Sequence, residues 1–196
     1  PPGFMVLEGL LIRLFGDGGT LLPALLVVSA VCCAVWMTLL RQHLMPLLRP
    51  GFATLAPLVP FGFPLVPFYM LSPLGLAFGE TFAISFFLTA FLLALQAQRR
   101  GSLGCAVAAG LALALSAYFR SQFEALTNFL TVGALVYTLV IFFVNRWAGT
   151  PRHALRVALV IVTVAQTAML PWRIHNYLDN SRLAWVHTSN VVARNS

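Results

Sequence analysis

Long apolar runs alternate with short Arg-bearing stretches along the whole chain. Residues 20–40, 77–97 and 123–144 each hold about 20 nearly uninterrupted apolar positions, the length needed to cross the hydrocarbon core of a bilayer. Residues 103–119 and 154–171 are shorter runs of the same kind. Residues 52–71 are apolar too but carry Pro57, Pro60, Pro64 and Pro67. Each proline removes a backbone donor, so this segment is expected to break near Pro64 or Pro67 and to pack inside protein or line a cavity. Residues 2–15 are interrupted by Glu8 and Arg13 and are too short to span. They predict an interfacial or re-entrant helix closed by Gly16-Asp17-Gly18-Gly19. Pro171 is expected to end the last span, leaving the polar residues 172–196 as an extramembrane loop. The pattern is that of an all-α membrane protein, with about six spans plus one interfacial helix in a single transmembrane domain over 1–196. The opening Pro1-Pro2-Gly3, without Met, reads as the middle of a longer chain with parts missing at both ends.

Composition narrows this further. Sixty per cent of residues are hydrophobic and 9% are charged, too little polar surface for a water-soluble globule of this size. The net charge of +7 comes from Arg scattered between spans, which is an orientation signal and not a nucleic-acid footprint. The stretches 41–51, 98–102 and 145–156 hold Arg41, Arg49, Arg99, Arg100, Arg146, Arg152 and Arg156 and no acid. The opposite ends hold Arg120, Arg173, Arg182 and Arg194 together with Asp17, Glu80, Glu124 and Asp179. The first set is therefore expected on the cytoplasmic side, with residues 172–196 outside. Cys32, Cys33 and Cys105 have neither zinc nor disulfide spacing and read as small apolar residues. His43 and His153 read as ordinary surface residues of cytoplasmic loops.

A few side chains near the spans invite chemistry, because ionisable groups at a membrane are expensive. Glu80 opens the 77–97 run, and Thr81, Ser85 and Thr89 follow at four-residue steps. The stripe is either a helix-start acid with hydroxyls packed on a neighbouring helix, or a carboxylate facing an aqueous cavity. Arg120 and Glu124 stand four apart, either as a local ion pair or with the Arg free to grip a phosphate. The densest cluster is Pro171-Trp172-Arg173-Ile174-His175-Asn176-Tyr177, which can be an interfacial aromatic anchor or a polar site. Ala106, Gly110 and Ala114 recur every fourth residue and predict a close helix crossing. No Gly-rich phosphate loop, HExxH motif or nucleophile elbow is present.

The order of these motifs resembles bacterial membrane glycosyltransferases of the GT-C superfamily, relatives of protein O-mannosyltransferases and of the lipid A aminoarabinose transferase. PPGFMVLEGLLIRLFGDG is similar to their "PPGYP…LFG" segment. Phe78-Gly79-Glu80 stands where they place Ser-Glu, Phe119-Arg120-Ser121-Gln122-Phe123-Glu124 resembles an "Arg-Pro-Glu" element with its acid displaced, and Pro171–Tyr177 resembles "PWTIRNY". The resemblance covers nearly the whole chain. It implies transfer of a sugar from a polyprenyl-phosphate donor to a glycan, lipid or protein acceptor, on the periplasmic or extracellular side of a bacterial inner membrane. It implies substrate binding by Glu80, Arg120, Glu124, Arg173, His175, Asn176 and Tyr177, with the catalytic carboxylate upstream of Pro1. No cofactor is read from the sequence, and a divalent metal stays compatible with the resemblance. Membrane lipids are expected partners and nucleic acid is not. The competing expectations are a transporter or flippase for lipid-linked sugars, which predicts an internal repeat that is not seen, and a non-catalytic assembly subunit.

Overall fold

The computed structural model describes residues 2–16, 20–62, 79–144 and 152–180. Among them there are helices and no strand. In chain order they are α1 (Pro2–Phe15), α2 (Leu21–Leu44), α3 (Pro50–Leu55), a 3₁₀ segment (Ala56–Gly62), α4 (Glu80–Arg100), α5 (Leu103–Phe119), α6 (Ser121–Val144) and α7 (Arg152–Asn180). Four helices are long and apolar enough to cross a membrane: Leu21–Leu44, Glu80–Arg100, Ser121–Val140 and His153–Leu178. By length and composition the chain is an integral membrane protein. α5, with 17 residues, is about 25 Å long at 1.5 Å per residue, short of a full hydrocarbon core.

The short helix is the centre of the bundle. α5 packs against α1, α4, α6 and α7. Its Ala and Gly residues are the reason, since without bulky side chains the backbones approach closely. A Cβ added to Gly110 would stand 2.7 Å from the Ile161 carbonyl oxygen and 2.8 Å from Val164 Cβ. Ala106 lies in a cluster with Val157, and Ala114 in one with Met169. The small residues expected to mark a close crossing therefore seat α7 along successive turns.

The α4–α5 reversal takes two residues. Gly101 sits at φ +70, a backbone region that favours glycine. Ser102 then accepts from the Cys105 N–H at 3.3 Å and caps α5. The α5–α6 reversal takes one residue, Arg120, extended at φ −146 and ψ 128. α2 lies parallel to α4. Leu25 shares a cluster with Phe82, Cys33 lies 3.7 Å from Ser85, and His43 reaches Leu92 and Arg99. α2 thus ends beside the C-terminal half of α4, at the end opposite to where α4 starts. α3 gives way to 3₁₀ geometry at Ala56, so the 52–71 run is not one regular helix. Pro64 and Pro67, where the break was expected, lie outside the described residues.

Gly16 closes α1 in left-handed geometry at φ +81, its N–H bonded to the Ile12 carbonyl at 2.8 Å, and α1 packs one face against the bundle. Its Leu11 is buried with Leu25, Phe82, Ala83 and Phe119, and the backbone at Tyr118 leaves no room for a Cβ on Gly3. One expectation is corrected: α7 does not end at Pro171 but runs on to Asn180. Residues 172–180 are therefore helix and not loop, while 181–196 lie outside the described residues. Tyr118 of α5 explains how. Pro171 has no N–H for the i−4 carbonyl, which loosens the ladder there. The Tyr118 hydroxyl donates to the Ala168 carbonyl at 2.9 Å and accepts from the Trp172 backbone N–H. One side-chain hydroxyl thus bonds to the α7 backbone on both sides of Pro171.

Candidate functional site

Every Glu whose side chain is described lies at one end of the bundle, the end where α4 and α6 begin and α7 finishes. Glu80 is the first residue of α4, a favourable place for an acid beside a helix N-terminus. Gly79 precedes it at φ +67, 3.3 Å from Phe119 Cδ1 if given a Cβ. A side chain would be strained there, which favours Gly at this place.

The sequence offered a local Arg120–Glu124 pair, and the structure forms neither half of it. Arg120 Nη2 donates to Glu80 Oε1 at 2.8 Å, with the two side chains 28% and 34% exposed. Its Nε donates to Gln122 Oε1 at 3.1 Å. Its Nη1 has no protein partner among the described residues. Glu124 instead accepts from Arg173 Nε of α7 at 3.1 Å, both side chains 6% exposed.

Around that second pair lies a polar seam between α6 and α7. Arg173 Nη1 donates to Gln166 Oε1, and Nη2 donates to Asn128 Oδ1 at 2.8 Å. Gln166 Nε2 donates to Asn128 Oδ1 at 3.0 Å and to Thr131 Oγ1 at 2.8 Å. Thr131 in turn donates to the Thr127 carbonyl at 2.8 Å. All three guanidinium nitrogens of Arg173 are engaged, as a buried ion pair requires when it must replace its hydration. A cavity of about 590 Å³ runs along this seam, with Asn128, Thr131, Gln166 and Arg173 on its polar side and Leu135, Leu159 and Val162 among its apolar lining.

Helical continuation past Pro171 disperses the cluster that looked dense in sequence. Arg173 and Asn176, three apart, point inward and are buried. His175 and Tyr177 are exposed on other faces of α7, and the His175 ring lies 5.6 Å from that of Trp172. The stripe on α4 faces inward: Thr81 and Ser85 are 1% exposed, and Ser85 meets Cys33 of α2. Ser85 is thus a packed hydroxyl and no wall of an aqueous cavity. Sequence reading missed Asn128, Thr131, Gln166 and Tyr118. Asn128 and Gln166 carried a signal, being uncharged amides inside apolar runs, where polar groups need partners. Tyr118 carried none, since its role depends on Pro171 of another helix.

At the opposite end His43 is no loop residue. It lies in the last turn of α2, where its Nε2 meets the Leu92 carbonyl at 2.9 Å and its Nδ1 meets Arg99 Nη1 at 3.2 Å. His153 stands in the first turn of α7, near Gly101. Among the described residues no three His, Cys, Asp or Glu side chains cluster as a metal site would need. No family model, curated protein or solved structure matches this chain.

Proposed function

We propose that the chain is part of an integral-membrane glycosyltransferase that moves a sugar from a polyprenyl-phosphate donor to an acceptor hydroxyl, at the end where Glu80, Arg120, Glu124 and Arg173 gather. The observation that carries this reading is the Arg120–Glu80 pair. It is part-exposed, held at a one-residue reversal, and keeps Nη1 open. A phosphate can take the guanidinium from Glu80 by exchanging one anion for another, and the planar fork of Arg suits it. The displaced Glu80 carboxylate then accepts a hydrogen bond from a sugar or acceptor hydroxyl. In the reaction, the acceptor oxygen attacks the anomeric carbon and the bond to the phosphate oxygen breaks. The electron pair leaves with the phosphate, where the Arg120 charge stabilises it, and the hydroxyl proton goes to a base. In the resembling enzymes that base is a carboxylate preceding the Pro-Pro-Gly segment.

Arg173 and Glu124 have a supporting part in this reading, holding α6 and α7 together below the reacting groups. His175 and Tyr177, on exposed faces of α7, would meet the acceptor. The same proposal includes six spans, with α5 as a short one and a crossing within 45–79, which the parallel course of α2 and α4 supports. It places the Glu80 end outside a bacterial inner membrane, in accord with the Arg-rich opposite end. The test is sugar transfer from a polyprenyl-phosphate donor by the full-length protein in nanodiscs. Arg120→Ala should lower kcat by about 10²-fold, the usual loss for one charge-stabilising donor. Arg120→Lys should recover only part, and Arg13→Gln should change nothing. Wild-type turnover by Arg120→Ala would overturn the assignment.

A further inference from the structure

The two ends of the bundle differ in how their cations are held. At the Glu80 end, Glu80 pairs with Arg120 and Glu124 pairs with Arg173. At the other end stand Arg41, Arg49, Arg99, Arg100 and Arg156, with no acid anywhere in residues 18–79, 81–123 or 125–178. None of those five forms an ion pair among the described residues, and all are exposed. Arg99 is nevertheless oriented. Its Nη1 donates to His43 Nδ1, an acceptor only when that nitrogen is unprotonated, and His43 Nε2–H donates in turn to the Leu92 carbonyl. In these contacts the imidazole lies between the Arg99 guanidinium and the Leu92 carbonyl. A ring nitrogen steers that guanidinium where no carboxylate does, whereas Arg120 and Arg173 are each offset by a carboxylate.

We propose that this acid-free end is a docking surface for the headgroups of anionic glycerophospholipids, with Arg99, aimed by His43, as its oriented phosphate donor. Charge complementarity selects the occupant. The surface lies at the ends of three helices long enough to span, the depth at which headgroups sit. It offers five cations and no competing carboxylate. Nε and Nη2 of Arg99 have no protein partner among the described residues, so one edge of the fork is open to a phosphate. Arg100 and Arg41 add charge at the same end, and each cation near an anionic surface strengthens attraction by about fivefold. The attraction should weaken with salt, as exposed charge interactions do.

The test uses the chain in nanodiscs of phosphatidylcholine, with and without phosphatidylglycerol, and counts retained lipids by native mass spectrometry. Wild type should retain phosphatidylglycerol over phosphatidylcholine by about fivefold or more. The double variant Arg99→Gln/Arg100→Gln, which alters only exposed side chains, should keep its Tm in phosphatidylcholine and lose the preference. Arg13→Gln, at the other end, should retain it. Equal retention of the two lipids by wild type would overturn the proposal. So would an undiminished preference in the double variant, or complete displacement of phosphatidylglycerol by millimolar inorganic phosphate, which would make the ligand a free ion.

Discussion

Two ion pairs share one end of the bundle, and they are built for different work. Glu124–Arg173 is buried at 6% exposure on both sides and sits in a seam where every guanidinium nitrogen has a partner. Glu80–Arg120 is about a third exposed and leaves one guanidinium nitrogen open among the described residues. Solvent decides the difference. A desolvated pair holds together because either ion alone would be stranded in a low-dielectric site, while a wetted pair can trade its partner for another anion at little cost. The sequence gives both pairs the same residue types, so a reading by type alone assigns both Arg residues to an anion. The structure makes Arg173 a clamp between α6 and α7 and leaves Arg120 as the exchangeable one.

The largest expected effect breaks the clamp. Arg173→Ala leaves Glu124 buried without its charge partner and should destabilise the protein by about 3–5 kcal/mol, read as the shift of a thermal or denaturant midpoint in a fixed detergent. The double change Arg173→Met with Glu124→Leu removes both charges and should cost clearly less than the single one. Equal losses would mean that packing, and not the pairing of charges, holds the seam. Next is the hydroxyl that sustains the upper part of α7. Tyr118→Phe leaves the Ala168 carbonyl and Trp172 N–H without their bridge and should cost about 1–3 kcal/mol. Because the bridge carries α7 on to Arg173, the loss should also speed hydrogen exchange in residues 172–180 more than in 153–165. A uniform change along α7 would sever the link between Tyr118 and the seam.

The smallest stability effect belongs to the other pair. Glu80→Gln or Arg120→Ala should alter stability by less than about 1 kcal/mol, as exposed pairs do. If the proposed chemistry holds, Arg120→Ala instead removes turnover while the fold stays intact. A loss of stability matching that of Arg173→Ala would erase the distinction between the pairs.

α6 shows how unevenly this bundle is fastened. It is bounded by a cavity of about 410 Å³ toward α4 and α5 and by the 590 Å³ cavity toward α7. Phe129, Val132, Leu135 and Tyr137 are exposed along it. α5, by contrast, buries most of its small residues against its neighbours. Removing the polar seam should therefore loosen α6 before it loosens the α4–α5–α7 core.

Helical character, the apolar stretches long enough to cross a bilayer, the glycine closure of α1 and the small-residue crossing at Gly110 were all legible in the sequence. Each depends on a property local in the chain: apolar length, a backbone torsion that favours glycine, or a four-residue repeat along one helix face. Partner choice was not local. Arg120 and Glu124 have the spacing of a helical pair, but the chain reverses at Arg120 in extended geometry and α6 begins only at Ser121. The i, i+4 geometry between them therefore never exists. Pro171 carries the usual signal for a helix end, yet α7 continues past it, with a hydroxyl from α5 bonded on both sides of the proline. What each segment could become was written in its own residues. Which carboxylate met which cation was decided by the packing of α4, α6 and α7, since an ion pair forms where desolvation and geometry meet, and neither is fixed by neighbours in sequence.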